Sequence, residues 1–456
     1  MNVTLKPITL PSFGLEGNLP EIPSSEFEAR IALTIREMSK RNLDFLIVFA
    51  DREHFANLAF LTNLDPRFEE AMLILDKTGK RKLLLGNECM GYTGICPIPF
   101  EFELFQEFSL MGQDRSKSRT LAQILSAAGV KTGSRVGCAY HKYFNDRSQL
   151  DIPAYVSDVI VSQTGDRARV INAGDIFMDN EQGLRNHNSL EQLVRFEWAG
   201  TRTSESMKNL LAQLKPGIRE YDLAVNYKSD GLPYSCHPMV STGKKACMGL
   251  SSPSSNRVQL GDAFTSAMGV WGALTARAGM IASTPADLNP VTAEFFEKFW
   301  KGYFKTVVTW YESISLGATA GAITEAVDEA RPNDVFDFAV NTGHTLHLDE
   351  WVNSPFVKDS SVRLYSGMAL QMDIIPVPRK EFVCANMEDG IAIADERLRT
   401  EWASKFPESW KRITQRRDFM INQVGINIRP EVLPLSNIPA YYPPYLLSQN
   451  RVAARV

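Results

Sequence analysis

Apolar residues recur along the chain with two periods, and the order of those periods divides it. From Glu26 to Lys40 the apolar positions Phe27, Ile31, Leu33, Ile35 and Met38 carry helical spacing, which predicts the first helix. Residues 44–50, Asp-Phe-Leu-Ile-Val-Phe-Ala, make a short apolar run of strand length, and 71–75 and 82–85 make two more. Between the last two sits Asp76-Lys-Thr-Gly79, a hairpin turn in which glycine supplies the positive φ. Helix and strand keep alternating through 118–128 and 135–139, so this half reads as an α/β domain ending near Gly183.

The pattern changes at Ser189. Residues 189–214 read as one long amphipathic helix, begun by a serine with Gln192 three residues on and stopped by Lys215-Pro-Gly217. Further helices are predicted at 219–228 and 290–313. The aromatic stripe of the latter (Phe295, Phe296, Phe299, Trp300, Phe304, Trp310) is core by its helical spacing. Strands at 263–268, after the Gly261-Asp262 turn, and at 368–375 give helices gathered around antiparallel strands, an α+β domain. The expected plan is an irregular Pro/Gly-rich arm at 1–24, an α/β domain at 25–183, an α+β domain at 189–396 and an extension at 397–456 packed on the body. Within that extension, residues 427–447 read as a Pro-rich, tyrosine-bearing strap.

Composition narrows the function. With 456 residues, 44% hydrophobic and 22% charged, the chain has ample material for cores, which excludes wholesale disorder, collagen and coiled coil. A net charge of -4 without a long basic run argues against nucleic acid. The six cysteines form no CxxC pair and read as reduced thiols. No leader pattern opens the sequence and no run approaches the ~18 apolar residues of a membrane span, so a cytoplasmic protein without membrane partners is expected.

Of the six histidines, His344 stands out. It lies in Asn341-Thr-Gly-His-Thr-Leu-His347, where a glycine lets backbone approach a ligand, with Asp349 and Glu350 just beyond. Downstream, Asp373 falls on a predicted strand and Glu388-Asp389 on another. One histidine and two carboxylates on separate elements suit either metal ligation or acid–base catalysis.

Together these segments resemble the creatinase and aminopeptidase P/prolidase superfamily. The resemblance rests on residues 57–71 (Asn-Leu-Ala-Phe-Leu-Thr-Asn-Leu-Asp-Pro-Arg-Phe-Glu-Glu-Ala), the entry helix from Ser189, Asn256-Arg257 through Gly261-Asp262, Gly343-His344, Ser366-Gly367-Met368 and Glu388-Asp389-Gly390. It implies a creatinase-like α/β N-terminal domain and an α+β pita-bread C-terminal domain. It also implies a dinuclear metal centre of two Asp, one His and two Glu in the peptidases of the superfamily. Here the first Asp position offers Ser266 and Ala267, the second falls at Ala276 or its neighbours, and Asp373 replaces a Glu; His344 and Glu388 match. The upstream shuttle histidine should fall at 250–253, which reads Leu-Ser-Ser-Pro, and a second histidine after His344 is replaced by Trp351.

The expectation is therefore a metal-independent hydrolase of an amide or amidine C–N bond in a small cationic or zwitterionic substrate, without cofactor. His344, Asp373 and Glu388 would be catalytic, and Arg67, Phe68, His347 and Trp351 would contact substrate. The resemblance further implies a homodimer, with Arg67 and Phe68 of one chain approaching the cavity of the other. Two alternatives stand beside it: a catalytically degenerate binding protein, and a mononuclear metal-dependent aminopeptidase-like hydrolase using His344, Asp373 and Glu388.

Overall fold

The structure is a computed structural model describing residues 1–456. It divides into two compact units, Ile22–Asn186, and Met1–Glu21 together with His187–Val456.

In the first unit the apolar runs become a six-stranded mixed sheet, in spatial order Glu101–Leu104, Arg81–Leu85, Ala71–Asp76, Phe45–Ala50, Val136–Ala139 and Val170–Asn172. All six residues of Phe45–Ala50 are buried, which is why that strand reads as continuous rather than alternating. The predicted hairpin turn is present: Gly79 has φ +96°, and Asp76 Oδ1 accepts the backbone N–H groups of Thr78 and Lys80. The first helix spans Ser24–Lys40 and buries Arg30 with its guanidinium over the rings of Phe27 and Phe60. Arg67 adopts φ +58°, a conformation held by the Asp65 carboxylate, which accepts the Arg67 N–H at 3.0 Å and lies 3.3 Å from Nε. Glu69, two residues on, is buried beneath the N–H groups of Glu88 and Cys89, whose protons it accepts.

The second unit is built on a seven-stranded antiparallel sheet. Its path runs His344–Thr345, Ala369–Asp373, Asn386–Ile393, Ala273–Met280, Ala263–Val270, Tyr234–Thr242, with Val432–Pro434 paired to Asn386–Ile393 off that path. The entry helix spans Leu190–Ala212, and the Ser189 side chain caps it by accepting the Gln192 N–H. Helix Pro290–Ser313 begins after the Asn289 cap and sinks Phe296, Phe299, Trp300, Phe304 and Trp310 into the core; Phe295 packs at its margin.

Two segments differ from the sequence reading. Within 1–24, Val3–Pro7 is a strand, paired antiparallel with Arg451–Arg455. Its Val3/Leu5 alternation is too short to stand out beside the prolines that follow. The strap, for its part, passes into the core instead of lying over it: Ile438, Ala440, Tyr442 and Tyr445 are fully buried. Irregular backbone survives burial only if its polar groups find partners. Buried Arg277 supplies them, donating from Nε to the Tyr441 carbonyl at 2.8 Å and from Nη2 to the Ile438 carbonyl and to Asp389, while Asp389 accepts the Ala440 N–H at 3.1 Å.

A second buried charge group ties the extension to the entry helix. Glu197 receives Arg412 at 2.6 Å and Arg416 at 2.7 Å, both from helix Pro407–Phe419, plus the Thr201 hydroxyl. Burial pushes the Glu197 carboxyl upward, and the two guanidiniums overcome it and hold the group below the usual range. No helix is long and apolar enough to cross a membrane.

Candidate active site

Strand register assembles the site. Across four neighbouring strands, Ala267 faces Ala276, Ala276 faces Glu388, and Glu388 faces Asp373, a single row of directly opposed residues. Opposed residues project from the same face of a sheet, so these four side chains share one surface. Ser266 belongs to the other face, where its hydroxyl bonds Tyr227. His344 joins at the sheet edge opposite Gln371, two residues before Asp373, and thus on the same face.

Glycine makes that edge possible. Gly343 has φ +138°, and a Cβ there would lie 2.8 Å from the Gln371 carbonyl oxygen, so only glycine lets His344 pair this closely. The imidazole is fully buried. Its Nδ1 lies 3.2 Å from the Thr345 carbonyl, which turns Nε2 toward the carboxylates, 3.0 Å from Glu350 Oε1 and 3.8 Å from Asp373 Oδ2. The Glu350 contact is an ion pair by distance without hydrogen-bond alignment. Trp351 stacks on the ring, centroids 4.3 Å apart and planes 23° apart. Glu388 Oε1 accepts from Asn386 Nδ2 at 2.9 Å, and Asp373 Oδ1 is buried with no hydrogen-bond partner.

Electrostatics follow from enclosure. Burial, with Glu388 and Glu350 nearby, raises the Asp373 carboxyl well above the ordinary range. Burial and Glu350 push Glu388 up to about 7. Burial disfavours the His344 imidazolium, but Glu350 outweighs it and the net shift is upward. Enclosure thus favours the proton on both carboxyl groups and Glu350 favours it on the imidazole, and Glu388 is poised between its two forms near neutral pH.

Beside the polar end lies an apolar one. Ala267, Leu274 and Ala276 cluster with Cys236 and Met239, and burial raises the Cys236 thiol to about 12. The resemblance places aspartates where Ala267 and Ala276 stand in the row, and these methyl groups offer no donor atom. Nowhere do three His, Cys, Asp or Glu side chains stand so as to hold a metal ion. The donor set does not fit a dinuclear centre.

Of the residues singled out in the sequence, His344, Asp373, Glu388 and Trp351 come together. His347 is buried on the same loop and packs edge-on against Phe196, centroids 5.2 Å apart. Arg67 and Phe68 belong to the other unit, where Arg67 donates to the Tyr92 hydroxyl at 2.6 Å and Phe68 is 50% exposed. Glu350 was visible only as a carboxylate near His344, and Asn386 and Cys236 gave no signal of their own. Strand parity would have found Asn386, two residues from Glu388.

No protein-family model matches the sequence, and no curated protein matches it either. Solved structures do match in fold. A dipeptidase from Mycobacterium ulcerans is 16% identical with a TM-score of 0.61, covering 82% of this chain and 95% of its own. A prolidase from Thermococcus sibiricus is 14% identical with a TM-score of 0.62, covering 81% and 95%. An Xaa-Pro dipeptidase from Bacillus anthracis is 12% identical with a TM-score of 0.60, covering 81% and 96%. The chain has the fold of these peptidases, a pita-bread domain preceded in sequence by an α/β domain. At these identities the likeness is one of fold.

Proposed function

We propose that the protein is a metal-independent hydrolase of a C–N bond, amide or amidine, in a small cationic or zwitterionic molecule. The observation that carries this reading is the row Ala267, Ala276, Glu388, Asp373 ending at His344: it keeps an acid–base set and lacks the carboxylates that would bridge two metals. In the proposed reaction, Glu388 takes a proton from water as the water oxygen bonds to the substrate carbon. Protonated Asp373 donates to the carbonyl oxygen or imino nitrogen. His344 delivers a proton to the leaving nitrogen as the C–N bond breaks. Glu350 and the Trp351 ring offer a seat for a cationic group, and Met239 and Leu274 offer an apolar wall.

Binding a cation favours ionised Glu388, so affinity should rise with pH through about 7. The test is a mass-spectrometric screen of small amides and guanidino or amidino zwitterions with chelator-treated protein. Expected are turnover that survives the chelator and is lost in His344→Ala. Binding without turnover would establish the non-catalytic reading, and turnover restored only by metal would establish the mononuclear one.

The same reading includes a homodimer in which Arg67 and Phe68 meet a partner's substrate, a role suited to the half-exposed Phe68 on its fixed turn. A monomeric mass at micromolar concentration would refute it. It also includes a cytoplasmic address, in keeping with cysteines that form no CxxC pair.

A further inference from the structure

Two loops next to the site each present a thiol. Cys247 lies in the turn Gly243–Met248, and Cys384 lies between strands Pro376–Pro378 and Asn386–Ile393. They are 137 positions apart in sequence, yet their Sγ atoms are 3.7 Å apart. A second contact joins the same loops, with Lys244 Nζ 5.8 Å from the centroid of the Phe382 ring. The turn is anchored independently of the sulfurs. Lys245 donates to Glu220 at 2.7 Å and to the Ser252 carbonyl at 2.6 Å, and fully buried Glu220 also accepts the N–H groups of Thr242 and Ser254. The His237 ring lies 2.9 Å from the Leu250 carbonyl. The turn that carries Cys247 is therefore held beside Cys384 without help from the sulfurs.

We propose that Cys247 and Cys384 form a reversible disulfide, a modification site that ties the turn Gly243–Met248 to the segment leading into the Glu388 strand. Sulfur atoms in contact need close by only about 1.6 Å to reach bonding distance, a movement within reach of side-chain rotation in loops. Cys247 is the attacking group. It is exposed, and hydrogen bonding from Cys384 holds its thiol below the usual range, while Cys384 is raised well above it.

With glutathione disulfide as oxidant, the Cys247 thiolate attacks one sulfur, the reagent's S–S bond breaks, and one glutathione thiolate leaves and takes up a proton. Cys384 then gives up its proton, attacks Cys247 Sγ and expels the second glutathione. Two protein thiols are oxidised and one glutathione disulfide is reduced to two thiols. Excess glutathione runs the sequence backward. Oxidation pins the backbone two residues before Asn386, whose amide holds Glu388, so the link reaches the site without touching it.

The test incubates the full chain with glutathione disulfide, caps the remaining thiols by alkylation and maps tryptic peptides by mass. Expected is loss of two of the six thiols and a cross-link between peptides 246–257 and 381–397, reversed by excess glutathione. Cys384→Ser should stop at glutathione on Cys247, and Cys247→Ser should give no cross-link. Six alkylated thiols, glutathione retained on Cys247 in the parent chain, or a cross-link to another cysteine would each overturn the proposal. If half-buried Cys384→Ser fails to fold, the parent chain and Cys247→Ser decide it.

Discussion

Glu388 shows what a single enclosed carboxylate costs. Its pKa is raised to about 7 by burial and Glu350, so the folded chain holds a proton that the unfolded chain releases near the ordinary Glu value. A raised folded pKa contributes stability that is complete below the unfolded value and is lost as pH climbs through about 7. Glu388→Gln keeps the oxygen that accepts from Asn386 and removes the titration. It should raise Tm by roughly 2 °C or more at pH 8 and change it little at pH 5, by calorimetry. An equal shift at both pH values would refute the assignment. At this scale sequence reading reached His344 through its glycine, and reached Asp373 and Glu388 through their strands. It passed over Glu350 because a loop carries no periodicity to say where a side chain turns. Whether Ser266 or Ala267 faced the site was likewise a matter of one residue of register, which only pairing decides.

Elements were legible where a local signal marked them. Ser189 with Gln192 starts one helix, and aromatic spacing marked Pro290–Ser313 and identified its buried side. Illegible were the short pieces whose structure comes from partners far away in sequence: the two-residue strand His344–Thr345, Val432–Pro434, and Val3–Pro7. Long-range charge pairing was hidden for the same reason. Nothing near Glu197 announces that Arg412 and Arg416 close on it. Removing one member of such a group leaves the others buried and unpaired. Glu197→Ala should therefore cost about 3–5 kcal/mol in urea unfolding. The exposed pair Lys298 and Glu294 serves as control, and Lys298→Ala should leave the midpoint unchanged.

For the whole molecule, the extension is a structural member rather than an accessory. Residues after 396 supply the strand Val432–Pro434, both arginines on Glu197, the buried tyrosines and the partner of Val3–Pro7. A chain ended at residue 396 should keep a protease-resistant fragment spanning residues 22–186 and lose resistance across 187–396, read by limited proteolysis and mass spectrometry. A cooperatively melting, fully protected truncation would show the extension to be dispensable. The pairing of Val3–Pro7 with Arg451–Arg455 also sets a timetable for biosynthesis. Ribosomes deliver a chain from its amino end, so residues 22–186 can fold during translation, whereas the first strand emerges early and finds no mate. It must wait through the making of everything that separates it from Arg451–Arg455. Until residues 451–455 clear the exit tunnel, that segment is an open edge available to chaperones or to a neighbouring nascent chain.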